Sequence, residues 1–151
     1  MRVIALIENN TCYDYGKGSG GPQPEGINCG NSCGNKATIR NNFIYAPAGT
    51  NPLSSGENNP ANSNNLCGSG ESCGTSSRVW SSSTVLSTDQ NTSNFMRIGP
   101  TSAAVNAGAT LMTVTIDYAG NSRPPYDIGA FAVGTGTPSA LPPPSNLRIT
   151  P

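Results

Sequence analysis

Two stretches of the chain carry the same pattern of apolar and polar positions: "ALIENNTCY" at residues 5–13 and "ATIRNNFIY" at residues 37–45. Side chains alternate faces along a strand, so Ala5 and Ile7 share one face, Ala37 and Ile39 share the matching one, and Glu8 and Arg40 take the other. Each alternating run stops at Asn-Asn and resumes after it, Thr11-Cys12-Tyr13 matching Phe43-Ile44-Tyr45. Asparagine tolerates the left-handed conformation better than other residues that carry a side chain, so Asn-Asn between two short apolar runs reads as a corner. The pattern predicts strand, corner, strand, written twice. If the copies lie side by side, parallel and in register, Ile7 sits beside Ile39, both buried, and Glu8 faces Arg40. A one-residue slip would carry the two isoleucines to opposite faces. The competing reading is a hairpin or a chance match in an Asn-rich chain.

A recurrence at this spacing, built from short strands, points to a solenoid. The fold class expected is all-β, a right-handed parallel β-helix whose coils carry long irregular loops. Like residues then stack on like: Asn9 and Asn10 come over Asn41 and Asn42, and their amides bond up the stack. Cys12 falls where Ile44 falls and reads as a small buried hydrophobe. The "GKGSGGPQPEGINCGNSCG" stretch would be looped out at a corner.

Composition agrees with many short strands and many turns. Leu, Ile, Val and Phe together are under ~20% of the chain, a level shared with disordered proteins. Disorder usually also brings high net charge; here eight basic and eight acidic residues cancel, and charged residues are 11% of the total. The mass lies in Gly, Asn, Ser, Thr and Pro, which are turn residues. No basic stretch marks a nucleic-acid partner. No apolar run approaches the ~20 residues of a membrane span, and "MRVIALIE" is too short for the ~7–15-residue core of a signal peptide. The chain has no histidine, which excludes a Ser-His-Asp or Cys-His mechanism built within it.

Residues 94–131 read "NFMRIGPTSAAVNAGATLMTVTIDYAGNSRPPYDIGAF". Four elements appear in order: Phe95 with Ile98; Ser102, Ala104, Val105, Ala107 and Gly108; Asp117, Gly120 and Arg123; then Asp127, Ile128, Gly129, Ala130 and Phe131. This resembles the closing segment of secreted bacterial right-handed β-helix proteins of the choice-of-anchor Q type, within the pectin-lyase-like superfamily. Ala103, Asn106 and Ala132 depart from the family pattern, where Pro, Asp and Glu are usual. The resemblance covers residues 1–133, with its specificity in 95–131. It implies a secreted or cell-surface location.

Asp117, Gly120, Arg123 and Asp127 read as a structural clamp. The forked guanidinium of Arg123 is expected to bridge the two carboxylates, and Gly120 to permit the turn. The competing readings are paired carboxylates for catalysis, or a calcium site, in which Arg123 would compete with the cation. Neither a catalytic residue nor a metal ligand is assigned, and no cofactor is expected beyond the calcium alternative.

Four cysteines lie in two Gly-rich loops, "CGNSCG" at 29–34 and "CGSGESCG" at 67–74. Cys29–Cys33 and Cys67–Cys73 could each close their own loop. The loops could instead pair between coils, whose ~4.8 Å spacing suits a disulfide, or the four thiolates could hold zinc. A disulfide agrees with an oxidising compartment.

Residues 134–151, "GTGTPSALPPPSNLRITP", form a Pro/Ser-rich linker whose last part resembles the entry into a fibronectin type III module. The expected organisation is therefore 1–133 as the C-terminal part of a parallel β-helix domain, followed by a linker into a truncated module, the whole cut from a longer protein. The function expected is a non-catalytic part of an extracellular or surface-anchored protein that contacts a polysaccharide or cell-surface glycan. The alternative is a fragment of a polysaccharide lyase or glycoside hydrolase whose active-site coils lie upstream. A stapled adhesin repeat is a third class.

Overall fold

The computed structural model describes residues 5–15, 25–27, 37–47, 51–53, 62–123 and 125–133. The described residues are all-β, with no helix and six short strands: β1 (Ala5–Glu8), β2 (Thr11–Tyr13), β3 (Ala37–Arg40), β4 (Phe43–Tyr45), β5 (Leu66–Cys67) and β6 (Arg78–Val79). β1 pairs with β3 in one sheet, and β2, β4, β5 and β6 run in that order in a second. Every pairing between these strands is parallel. Parallel neighbours need long crossovers rather than hairpins, and the intervals fit: 32 residues separate Asn10 from Asn42 and 23 separate Asn42 from Asn65.

The two repeats sit side by side in the register the alternation demands. Ala5 pairs Ala37, Ile7 pairs Ile39 and Glu8 pairs Arg40; Thr11 pairs Phe43, Cys12 pairs Ile44 and Tyr13 pairs Tyr45. The hairpin alternative is thereby excluded. Two burial expectations are corrected. Ile39 is fully buried but Ile7 only half-buried, because among the described residues β1 has a paired neighbour on one side only. Cys12 is half-buried too, its thiol donating to the Gly26 carbonyl at 3.3 Å. Burial still pushes that thiol's pKa up.

The corners between the two sheets are made alike. Asn9, Asn41, Asn64 and Ser76 all have φ near +55°, between 53° and 57°. Each is a single left-handed residue, the conformation asparagine tolerates best among non-glycines. The third and fourth corners belong to layers that the sheet pairings Arg40↔Ser63 and Ser63↔Thr75 add beyond β3. A separate parallel contact, Ile27↔Leu53, ties together the segments that lead from layer to layer.

One face of the second sheet carries Phe43 and Leu66, both fully buried. The segment from Val85 to Val133 folds over that face and supplies Val85, Met96, Ile98, Ala104, Ala107 and Ile128 to the same core. Burying a side chain such as Phe43 or Leu66 contributes about 1.5–3 kcal/mol. The opposite face of β4 and β5 buries Ile44 and Cys67.

Candidate functional site

The paired asparagines divide into two rows with different partners. The second Asn of each pair forms a ladder. Asn42 Oδ1 accepts from the Asn10 amide nitrogen at 2.9 Å and from Asn10 Nδ2 at 3.0 Å. Asn65 Oδ1 receives the same two bonds from Asn42, at 2.9 and 3.2 Å. Spare amide hydrogens go to main-chain carbonyls, Asn42 Nδ2 to Ile7 and Arg40, and Asn65 Nδ2 to Ile39 and Cys73. The bonding of amides up the stack thus involves Asn10, Asn42 and Asn65.

The first Asn of each pair does something else. Turned over by the left-handed backbone, these amides grip the closing segment. Asn64 Nδ2 donates to Ala107 O at 2.9 Å. Asn41 exchanges two bonds with Ala109, donating at 2.8 Å and accepting at 2.7 Å. Asn9 Nδ2 reaches Asp127 O and Gly129 O at 3.1 and 3.4 Å. Asn9 and Asn41 therefore clip a crossing strand of chain instead of bonding to each other. Glu8 and Arg40 lie opposite one another in a 2.6 Å ion pair, and Thr113 Oγ1 donates to the other Glu8 oxygen at 3.3 Å.

Asp117, Gly120, Arg123 and Asp127 gather in the closing turn, but their chemistry differs from the expected carboxylate bridge. Arg123 is 1% exposed and gives its hydrogens to carbonyls: Ile116 (3.2 Å), Asp127 (3.3 Å), Gly129 (2.7 Å) and Ala130 (2.8 Å). No ion pair within 4.0 Å joins it to either carboxylate among the described residues. The carboxylates are occupied elsewhere. Asp117 accepts from the main-chain nitrogens of Ala119, Asn121 and Ala132 and from Asn121 Nδ2. Asp127 accepts from the nitrogens of Asn106 and Val133. A guanidinium has five donors and no acceptor, so converging carbonyls satisfy it as well as carboxylates do. Burial pulls the Arg123 pKa down, against the opposing charges of Asp117 and Asp127. Burial pushes Asp117 up, yet its hydrogen bonds outweigh that and hold the carboxyl below its ordinary value.

Two glycines are required here. Gly120, at φ +84°, turns the chain between Asp117 and Asn121. Gly129, at φ +101°, lies against the first layers, where a Cβ would meet Thr11 Oγ1 at 3.1 Å and Phe43 Cβ at 3.3 Å. Asp117, Gly120, Arg123 and Asp127 are all buried. Among the described residues there is no group of three or more His, Cys, Asp or Glu placed to hold a metal ion.

Cys67 and Cys73 form a disulfide across 6.5 Å between Cα atoms. These two are therefore joined within their own loop, and the pairing between coils and the zinc reading are both set aside for them. Cys29 and Cys33 lie outside the described residues, as does the 134–151 linker.

The open site is elsewhere, where the second sheet meets the 82–95 loop. Tyr13 and Tyr45 stack layer over layer with ring centres 6.2 Å apart. Trp80, just past β6, lies on Tyr45 at 4.3 Å with planes 14° apart, and stands 6.4 Å from Tyr13. Phe95 meets Tyr13 edge-on at 6.3 Å. These rings line two adjoining hollows of about 530 and 460 Å³, which share Tyr13, Thr88 and Asp89. Asp14, Gln90 and Asn91 supply polar groups on the second. A sequence search for titratable clusters passes over this groove, because rings build it. The available signal was the Tyr13/Tyr45 match, which puts two tyrosines on one face of adjacent layers.

No family model, no curated protein and no solved structure was found to match this chain.

Proposed function

We propose that residues 1–133 are the C-terminal part of a right-handed parallel β-helix in an extracellular or surface-anchored protein, and that its aromatic groove holds a glycan without transforming it. The observation that carries this is the group Tyr13, Tyr45 and Trp80, drawn from β2, β4 and the end of β6 in one sheet and lining one groove. Sugar rings present apolar C–H faces and polar edges. A groove of aromatic rings with a few side-chain amides, hydroxyls and carboxylates answers both.

The helical path draws support from three lines of parallel pairing, two sheets and the Ile27↔Leu53 contact, with left-handed corners stacked between the sheets. Right-handedness follows the strong preference of parallel crossovers. The motif set in 95–131 is similar to that of the pectin-lyase-like choice-of-anchor Q proteins. The Cys67–Cys73 disulfide favours an oxidising compartment outside the cytosol.

A second reading, a fragment of a lyase or glycosidase of the same fold, draws on Asp14 and Asp89, which line the same hollow. The test uses the single tryptophan. Oligosaccharides that enter the groove shift Trp80 fluorescence saturably, and Trp80→Ala abolishes the heat of binding in calorimetry while the products contain no cleaved ends. Release of reducing or unsaturated ends, lost in Asp89→Asn, would establish the enzyme instead.

A further inference from the structure

We infer that the groove takes a glycan unit with two free hydroxyls on neighbouring ring carbons, and that Asp89 is the residue that reads them. This rests on the glycan reading above and narrows it to a ligand class. Tyr13, Thr88 and Asp89 line both hollows, so they stand where the two adjoin. A ligand that spans the groove passes a phenol ring, a hydroxyl and a carboxylate together. A sugar unit answers that trio. Its C–H face packs on the aromatic ring, and the hydroxyls around its edge donate to the polar groups beside the ring.

Asp89 is held in place before any ligand arrives. Its amide nitrogen donates to Ser87 Oγ at 3.0 Å, and its carbonyl accepts from Thr92 N and Thr92 Oγ1 at 3.2 and 3.0 Å. Its Oδ1 accepts from Asn91 N and Asn91 Nδ2, each at 2.9 Å. Asp89 itself is exposed at the groove. A carboxylate fixed in this way meets a ligand without the cost of ordering it.

An ionised carboxylate offers about four lone-pair sites over its two oxygens. The Asn91 bonds both fall on Oδ1, and Oδ2 has lone pairs for a pair of hydroxyls. Two hydroxyls on neighbouring carbons of a pyranose lie close enough to reach one oxygen together. A hydroxyl that donates to a carboxylate makes a charge-assisted bond, stronger than one between neutral groups. Losing the pair should therefore cost roughly tenfold in affinity.

The experiment titrates the fluorescence of Trp80, the single tryptophan, with tetramers of glucose, mannose and N-acetylglucosamine. Glucose and mannose units keep a neighbouring hydroxyl pair; the acetamido group of N-acetylglucosamine interrupts it. A glucose or mannose tetramer is expected to bind, and its counterpart methylated on that pair roughly tenfold more weakly. Asp89→Asn keeps an oxygen for Asn91 but puts an amide nitrogen at the position of Oδ2. Asp89→Ser keeps a hydroxyl that suits the turn and has no carboxylate. In either variant, checked for an unchanged melting temperature, the gap between parent and methyl ether should close. If both variants melt early, the comparison of parent and ether on the wild type decides. Ethers that bind the wild type as tightly as their parents, a gap that persists in the variants, or binding of the N-acetylglucosamine tetramer alone overturns the inference and leaves the glycan reading standing. No response to any of the three tetramers, with calorimetry also silent, overturns both.

Discussion

The layered stack of residues 5–80 and the closing segment of residues 84–133 face the same demand, that every buried main-chain N–H and C=O find a partner. They meet it by opposite means. The stack repeats one device. Each layer turns at a left-handed residue and hands its polar groups to the layer beside it, so Asn42 does for Asn65 what Asn10 does for Asn42. The closing segment has no neighbour of its own kind. It is held by single groups that each serve many partners, Arg123 for four carbonyls and Asp117 for four donors. The join between the regions is shared: Asp127 O and Gly129 O each accept from Asn9 and from Arg123. Redundancy in one region and dependence on one residue in the other should show as different sensitivities to mutation.

The largest effect is expected at Arg123. Arg123→Met leaves the Ile116 carbonyl without its donor, takes one of two donors from the carbonyls of Asp127, Gly129 and Ala130, and removes the positive charge that attracts Asp117 and Asp127. Removing one partner of such a buried charged network costs about 3–5 kcal/mol. Chemical denaturation should show the lowered midpoint. An unchanged midpoint would mean that the closing segment is not held by this residue.

Within the ladder the cost should depend on position. Asn42→Ala removes a buried amide that serves both neighbouring layers, leaving groups unsatisfied at about 1–3 kcal/mol. Asn10 is exposed and partnered on one side, so Asn10→Ala should cost about 0.5–1.5 kcal/mol, the net value of an ordinary hydrogen bond. Equal costs at the two positions would erase the distinction between inner and outer rungs.

Acid should loosen the closing segment through Asp117. Its folded pKa lies below its unfolded value of about 3.9. The unfolded chain therefore binds more protons between the two values, and stability rises with pH across that window. The contribution is complete above the unfolded value and is lost as pH falls through the folded one. Urea midpoints measured on descending pH should fall more steeply for the wild type than for Asp117→Asn. The same slope in both would assign acid lability to another carboxylate.

The smallest effect belongs to Glu8–Arg40. A double-mutant cycle should give about 0.2–1 kcal/mol for this partly exposed pair, declining as salt is raised. A coupling that ignores salt would show that the segment around Thr113 shields the pair more than its exposure implies.

The sequence by itself marked the strand positions of the first two layers and the register they take if they lie parallel; that they are parallel and not a hairpin was decided by the fold. For parallel copies, period-two alternation on both sides of Asn-Asn leaves one register that keeps Ala37, Ile39 and their counterparts on a common face. The third layer, "SNNLC" at residues 63–67, was not legible in the sequence: residues 46–66 read as a low-complexity polar loop, and only the fold shows Asn64-Asn65 as a corner like the first two. The fourth corner, Ser76-Ser77, has no asparagine to announce it. Asp117, Gly120, Arg123 and Asp127 were marked by motif, but the partners of Arg123 were not. Opposite charges suggest pairing, and only the folded path shows that carbonyls from residues 116–130 converge on the guanidinium while main-chain nitrogens occupy the carboxylates. The aromatic groove was decided in the same way. Tyr13 and Tyr45 declare a common face, yet Trp80, Phe95 and Asp89 reach them only because the chain after β6 turns back across that face, a long-range contact that no local periodicity encodes.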